Sequence, residues 1–215
     1  MEAKWVSDQM KKPARNKSLH GNTPDKCPLA LLMIDVVNDL NFPEGRQILP
    51  AVLKMALRLS TLAREARNAG VPVIYVNDNF GRWQSDFRKF LAHCLKNERS
   101  HALVTKLKPK ARDYFVLKPK HSGFYSTALT VLLDYLGVRH LILTGIAGNL
   151  CVLYTANDAY MRDYRLYIPG DCTVSNTEEE NLHALQQMKK SLHADIADST
   201  QLNLIQMLRL AQSET

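Results

Sequence analysis

The sequence predicts an α/β protein, a three-layer α/β/α sandwich in which helices cover both faces of a parallel sheet. Three observations lead there. Short apolar runs of strand length alternate with longer stretches whose apolar residues recur every three or four positions. The runs are continuously apolar rather than alternating, the pattern of strands covered on both faces. Each run ends in polar residues, and the spacing between runs leaves room for right-handed helical crossovers.

Residues 1–27 precede the first run. They are polar, carry Pro13, Gly21 and Pro24 and show no sustained periodicity, so they read as an extended basic arm ahead of one domain over residues 28–215. Leu29 to Ile34 forms the first strand, ending at Asp35. Val52, Met55, Ala56, Leu59, Leu62 and Ala63 mark a helix from about Leu49 to Asn68, stopped by Gly70. A second buried strand follows over residues 71–76, with Pro72 tolerated near its start. The alternation then repeats: a helix near residues 85–96, a strand at 114–117, a helix at 127–136 closed by Gly137, and a strand at 140–144. A helix beginning at about Cys151 runs to Met161, and a strand at 166–168 leads into Pro169, Gly170 and Asp171. Helices over 177–191 and 201–211, with a short strand at 194–197 between them, complete the chain.

At 215 residues, 46% hydrophobic and 23% charged, the composition is that of a soluble globular protein with a core of its own, which needs neither disulfides nor a structural metal. Lys and Arg outnumber Asp and Glu by 28 to 21, and part of that excess sits in the arm. There Lys4, Lys11, Lys12, Arg15, Lys17 and Lys26 face Glu2, Asp8 and Asp25. No basic stripe with interleaved aromatics follows, so no nucleic-acid partner is expected. The basic N-terminus lacks an apolar h-region and no run approaches 18 apolar residues, which disfavours secretion and a membrane partner. Cys27, Cys94, Cys151 and Cys172 are widely spaced, without a C-x-x-C pair or Cys/His zinc spacing, and read as reduced thiols of a cytoplasmic protein.

In an open parallel sheet the ligand crevice lies beyond the carboxyl ends of the strands. The residues there are Asp35, Asn38 and Asp39, then Asn77, Asp78 and Asn79, then Lys118 to Phe124, Gly145 to Cys151, and Asp171. Cys151 opens a helix, where the macrodipole lowers a thiol's pKa, so it reads as a nucleophile or as a buried structural cysteine. Asp35 ends an apolar strand, where a carboxylate must find a partner or shift its pKa; it suits a general base or a loop cap. Lys118 also ends an apolar strand, and its ammonium would neutralise Asp35 and stabilise a thiolate. Each is weak alone, but a doubly wound sheet brings the three strand ends together.

These stretches resemble the isochorismatase-like cysteine hydrolases, a family that includes nicotinamidases and N-carbamoylsarcosine amidases. The matching pieces are Leu32-Met33-Ile34-Asp35-Val36-Val37-Asn38-Asp39, Val116-Leu117-Lys118-Pro119-Lys120-His121-Ser122-Gly123-Phe124 with Thr127, and Gly145-Ile146-Ala147-Gly148-Asn149-Leu150-Cys151-Val152 with Thr155, Ala156, Asp158 and Ala159. Asp171 matches as well, and the likeness covers roughly residues 29–200. The resemblance implies a six-stranded parallel sheet, an Asp35-Lys118-Cys151 triad, and a cis peptide between Ile146 and Ala147. It also implies an oxyanion hole from the N–H groups of Ala147 and Cys151, no cofactor, and assembly as a homodimer or homotetramer. The implied reaction is cleavage of a C–N bond in a small amide, ureide or carbamoyl compound through a thioester.

The departures bear on substrate. Nicotinamidases carry a metal site built on an Asp-x-His pair after the second strand, whereas this chain has Asn79 at the histidine position, so no metal is expected. Gly148-Asn149 stands where the family often has Thr-Asp or Thr-Asn. Asp78, Asn79, Arg82 and Trp83 then become pocket candidates, Trp83 serving equally as an interface anchor. Phe124 and Tyr125 suit either core or pocket, and Phe124 is kept as a substrate-binding candidate. His121 reads as a loop histidine. True isochorismatases lack the cysteine and cleave a C–O bond, so Cys151 favours C–N hydrolysis over that reaction and over a non-catalytic binding or scaffold role.

Overall fold

The computed structural model describes residues 26–79 and 87–213. β1 (Leu29–Ile34) lies between β2 (Val73–Asp78) and β4 (His140–Ile146), with β3 (Tyr114–Lys118) outside β2 and β5 (Arg165–Tyr167) outside β4, all parallel. β6 (Thr173–Val174) pairs with Gly145 and Ile146, extending the outer edge of β4 past the end of β5. The chain winds outward through β2 and β3, then crosses to β4 on the other side of β1. The switch point therefore falls between β1 and β4, whose carboxyl ends carry Asp35 and the loop to Cys151.

Seven α-helices cover the sheet among the described residues: α1 (Leu49–Asn68), α2 (Phe87–Lys96), α3 (His101–Leu107), α4 (Leu129–Leu136), α5 (Leu153–Tyr160), α6 (Glu178–Leu192) and α7 (Leu204–Ser213). Pleating sends alternate residues of β1 to opposite layers. Leu29, Leu31 and Met33 pack toward α1, α2, α3 and α7, while Ala30, Leu32 and Ile34 pack toward α4, α5 and α6. Both layers exclude water, which is why the strand shows no polar alternation. None of these helices is long and apolar enough to cross a membrane.

The helices start and stop where local chemistry requires. In α6, Thr177 caps the Glu180 N–H at 3.1 Å and Glu180 reaches back to the Thr177 N–H at 3.3 Å, while Lys189 and Lys190 complement the last turn. Gly137 ends α4 in the left-handed conformation that glycine adopts without cost.

Several elements depart from expectation. α3 fell outside the helical reading because seven residues, with buried Leu103, Val104 and Leu107, barely repeat a helical period. The helix expected to begin at Cys151 begins at Leu153, and Cys151 lies in a π-turn, Gly148–Val152. The strand expected at 194–197 is a single bridge from Asp195 to Tyr167, and the sixth strand is β6, too short to show a period. The last helix starts at Leu204, where Asn203 accepts from the Gln206 N–H. Cys27, assigned to the arm, is buried with its N–H on the Leu136 carbonyl at 2.9 Å, so the folded domain includes it. Residues 1–25 of the arm, and residues 85 and 86 of the second predicted helix, lie outside the described residues.

Where β4 meets β1, Gly145 has φ +122, and a methyl group there would overlap the Ile34 carbonyl. A Gly145→Ala variant should lose about 1–3 kcal/mol or more of stability, a fall in Tm of roughly 2–12 °C for a chain of this size. Unchanged thermal unfolding would show that this approach is looser than described.

Candidate active site

Asp35, the first residue past β1, sits in the left-handed region at φ 51, which an aspartate tolerates better than most residues. That turn sends its carboxylate across the end of β2. Oδ1 accepts the Asp78 N–H at 2.6 Å, and Oδ2 lies 2.8 Å from Lys118 Nζ. Lys118 ends β3, opposite Asp78 in the ladder, and is wholly buried. Its ammonium reaches the Lys120 carbonyl at 3.2 Å, Cys151 Sγ at 3.4 Å and Asp78 Oδ2 at 3.5 Å. The Cys151 thiol also hydrogen-bonds the Asp35 carboxylate. The three expected catalytic residues therefore meet at one point beyond the sheet, with Asp78 as a fourth, framing member.

Burial raises the Asp35 carboxyl above its ordinary value, against the opposing pull of Lys118. Burial alone would lower Lys118, but Asp35, Cys151 and Asp78 outweigh it and hold the ammonium above an ordinary lysine. Burial and the neighbouring Asp35 charge push the Cys151 thiol up to about 12, with Lys118 opposing. This corrects the expectation of a thiol pKa lowered by a helix terminus. The α-helix starts two residues after Cys151, and a partial helix charge cannot match burial beside a full carboxylate. The resting cluster is thus a neutral thiol donating to an ionised Asp35 that Lys118 neutralises.

Two loops hold this geometry. Thr155 Oγ1 accepts the Gly123 N–H at 2.9 Å and donates to the Cys151 carbonyl at 2.6 Å, tying the lysine loop to the cysteine turn. Ser122 donates to Asp158, whose other oxygen takes Arg162 at 2.9 Å. The turn itself is closed by the N–H groups of Leu150 and Val152, both 3.1 Å from the Ala147 carbonyl, and the Ile146–Ala147 peptide is cis.

The remaining candidates separate. Asn79 is buried and extends the β2–β3 ladder through its N–H to the Lys118 carbonyl, and Asn38 caps Leu40 at 2.8 Å. Phe124, kept as a pocket candidate, packs in the apolar cluster with α4 and α5, with the Arg162 guanidinium 4.9 Å over its ring. Core packing claims its surface. Asp171 accepts both the N–H and hydroxyl of Ser199 at 2.7 Å, pinning the C-terminal segment rather than joining the triad. Arg82 and Trp83 lie outside the described residues. His121, read as a loop histidine, has Nδ1 3.8 Å from Cys151 Sγ and its ring against Tyr154; a loop of three residues after Lys118 was the only signal for it. Among the described residues, no three His, Cys, Asp or Glu side chains form a group that could hold a metal ion.

Comparison with known proteins bears on the same region. A family model described as the isochorismatase domain matches residues 29–201. The uncharacterised isochorismatase family protein YaaI of Bacillus subtilis is 46% identical over 177 residues, 82% of this chain and 97% of that protein. Ureidoacrylate amidohydrolase RutB of Yersinia enterocolitica is 41% identical over 78 residues, 36% of this chain and 34% of that protein. N-carbamoylsarcosine amidase from Thermoplasma acidophilum matches the fold with a TM-score of 0.65 at 27% identity, over 81% of this chain and 98% of that one.

Cys151 is the one cysteine of the four that is not buried, so iodoacetamide at neutral pH should label it ahead of Cys27, Cys94 and Cys172. The rate should keep climbing through the alkaline range. In Asp35→Asn the carboxylate that disfavours the thiolate is gone and the thiol pKa falls. Each unit of fall gives about tenfold more thiolate at a given pH below it, so the pH profile of alkylation should shift toward lower pH in the variant. A profile that does not move, or that moves to higher pH, would contradict the assigned charge arrangement.

Proposed function

The chain belongs to the isochorismatase family, and on that premise we propose that it hydrolyses a C–N bond in a small amide, ureide or carbamoyl compound through a thioester on Cys151. The observation that carries this reading is the thiol held between the Asp35 carboxylate and the buried Lys118 ammonium. Amidohydrolases among the similar proteins support the bond class.

Asp35 takes the thiol proton as Sγ attacks the carbonyl carbon, and the C=O electron pair moves to oxygen. The N–H groups of Ala147 and Cys151 stabilise that oxyanion; a well-aimed donor of this kind contributes about 2.7–4 kcal/mol to lowering the barrier. Asp35, now protonated, gives its proton to the departing nitrogen as the C–N bond breaks, which leaves an acyl or carbamoyl thioester. Water then adds to the thioester with its proton passing to Asp35, and collapse expels the acid and returns a proton to Sγ. Lys118 stays charged throughout, following the negative charge from Oδ2 to Sγ and back.

The test is amine or ammonia release from a panel of small amides, ureides and carbamoyl compounds, with nicotinamide included, in the presence and absence of chelator. Wild type should turn over at least one ureide or amide, Cys151→Ala should fall to background, and chelator should leave the rate unchanged. Asp35→Asn should lose roughly 10²–10⁴-fold in kcat/KM and unfold at a lower temperature than wild type, because Lys118 loses its buried counter-charge. Turnover that persists in Cys151→Ala would remove the thioester from the reading.

A further inference from the structure

Gly148, the first residue of the turn that carries Cys151, has no room for a side chain. A methyl group there would run into Asn181 Oδ1 and lie 3.0 Å from Ser175 Oγ. Asn181 belongs to α6 and Ser175 directly follows β6, so two elements with no catalytic residue close onto the backbone just before the thiol. The contacts run in one direction. The Asn149 N–H donates to Ser175 Oγ at 3.0 Å, and the Ser175 hydroxyl donates to Asn181 Oδ1 at 3.0 Å. Asn181 Nδ2 donates to the carbonyl and hydroxyl oxygens of Thr173, each at 3.3 Å. Because the amide end of Asn181 must face Thr173 and its oxygen Ser175, the chain has a single satisfied arrangement.

The turn's other backbone bonds are its own or lead onward into α5: Leu150 and Val152 close on the Ala147 carbonyl, and the Cys151 carbonyl takes Thr155. The Asn149 N–H is thus its link to the β6–α6 side, at the peptide plane midway between Ala147 and Cys151. Ser175 and Asn181 also line a cavity of about 610 Å³ whose lining includes no triad residue. Truncating Ser175 removes the acceptor of the Asn149 N–H, and truncating Asn181 removes the group that orients the Ser175 hydroxyl.

We infer that Asn181, acting through Ser175, is a positioning residue that sets the direction of the backbone N–H groups between Ala147 and Cys151. Its catalytic consequence rests on the thioester reading, since an oxyanion hole is needed only for attack on a carbonyl. Its geometric consequence does not.

The experiment compares Asn181→Ala and Ser175→Ala with wild type in the full chain, by three measurements. Hydrogen exchange of the peptide covering residues 147–152 should rise at least tenfold in both variants, with Tm changed by only a few degrees. On the substrate found in the panel, kcat should fall roughly 10–100-fold, less than the 10²–10³ of losing an oxyanion donor outright, with KM within about threefold. Alkylation of Cys151 by iodoacetamide should keep its wild-type rate and pH dependence, because displacement at a saturated carbon forms no oxyanion. Loop exchange unchanged in both variants would overturn the inference whether or not the enzyme turns anything over. Parallel losses in kcat and alkylation would overturn it too, by showing general loosening of the site. A wild type inactive on the whole panel with raised loop exchange in the variants would uphold the positioning and count against the hydrolase reading instead.

Discussion

A lysine ammonium with no exposure to water exists in this protein because a carboxylate meets it at 2.8 Å, and the rest of the site is arranged around that buried pair. Desolvating two charges is costly, and removing one partner from such a pair typically destabilises by about 3–5 kcal/mol. The pair also spans the sheet. β3 is two strands from β1, about 9.6 Å at ordinary strand spacing, so Lys118 must pass over the end of β2 to reach Asp35. Asp78 occupies that crossing, giving its N–H to Asp35 and offering its carboxylate to Lys118. Fold and chemistry therefore share one constraint: the carboxyl ends of β1, β2 and β3 must stand in register for the charges to be satisfied.

On the proposed function, the same pair explains how a thiol with a raised pKa acts as a nucleophile. Ionising Cys151 into solvent would put a second anion beside Asp35 in a buried cluster, and this is what pushes its pKa up. Passing the proton to Asp35 is different, because the cluster keeps its net charge. The negative charge moves from one neighbour of the Lys118 ammonium, at 2.8 Å, to another at 3.4 Å. Burial opposes creating charge far more than it opposes shifting it between two contacts of a fixed cation. Reactivity is then expressed when an electrophile draws the thiolate forward, and the resting thiol stays protonated.

The sheet was legible because its strands are buried on both faces, so Leu29 to Ile34 announces itself as an unbroken apolar run, and the polar residues after each run mark the crevice. Asp35, Lys118 and Cys151 stood out as chemistry-bearing groups at those ends. What escaped has physical reasons. α3 and β6 are shorter than the periods that would reveal them. The π-turn cannot be told from a first helical turn by spacing, and the mistaken thiol pKa followed from that. Asp78 as a framing residue, and Asn181 as a neighbour of the cysteine turn, depend on contacts between residues 26 to 43 positions apart on separate elements, which no local pattern encodes. Phe124 was ambiguous because an aromatic beside a lysine loop fits core and pocket equally well until its neighbours are known.

The frame and the rim of the site are built differently, and the difference bears on how one chemistry is fitted to different substrates. Frame groups are buried and carry several partners: Lys118 has four, Asp35 three, and Thr155 joins two loops through one oxygen. Changing any of them disturbs the charge balance or the fold. Among the described residues, the exposed side chains around the cysteine turn include His121, Leu150 and Tyr154, with His121 resting on Tyr154. Side chains so placed contribute little to stability, so they are exchanged at small cost, while the reacting atoms stay where the buried pair holds them. On the proposed function, substrate choice is thereby separated from proton transfer by burial, with His121, 3.8 Å from Sγ, at the boundary between the two.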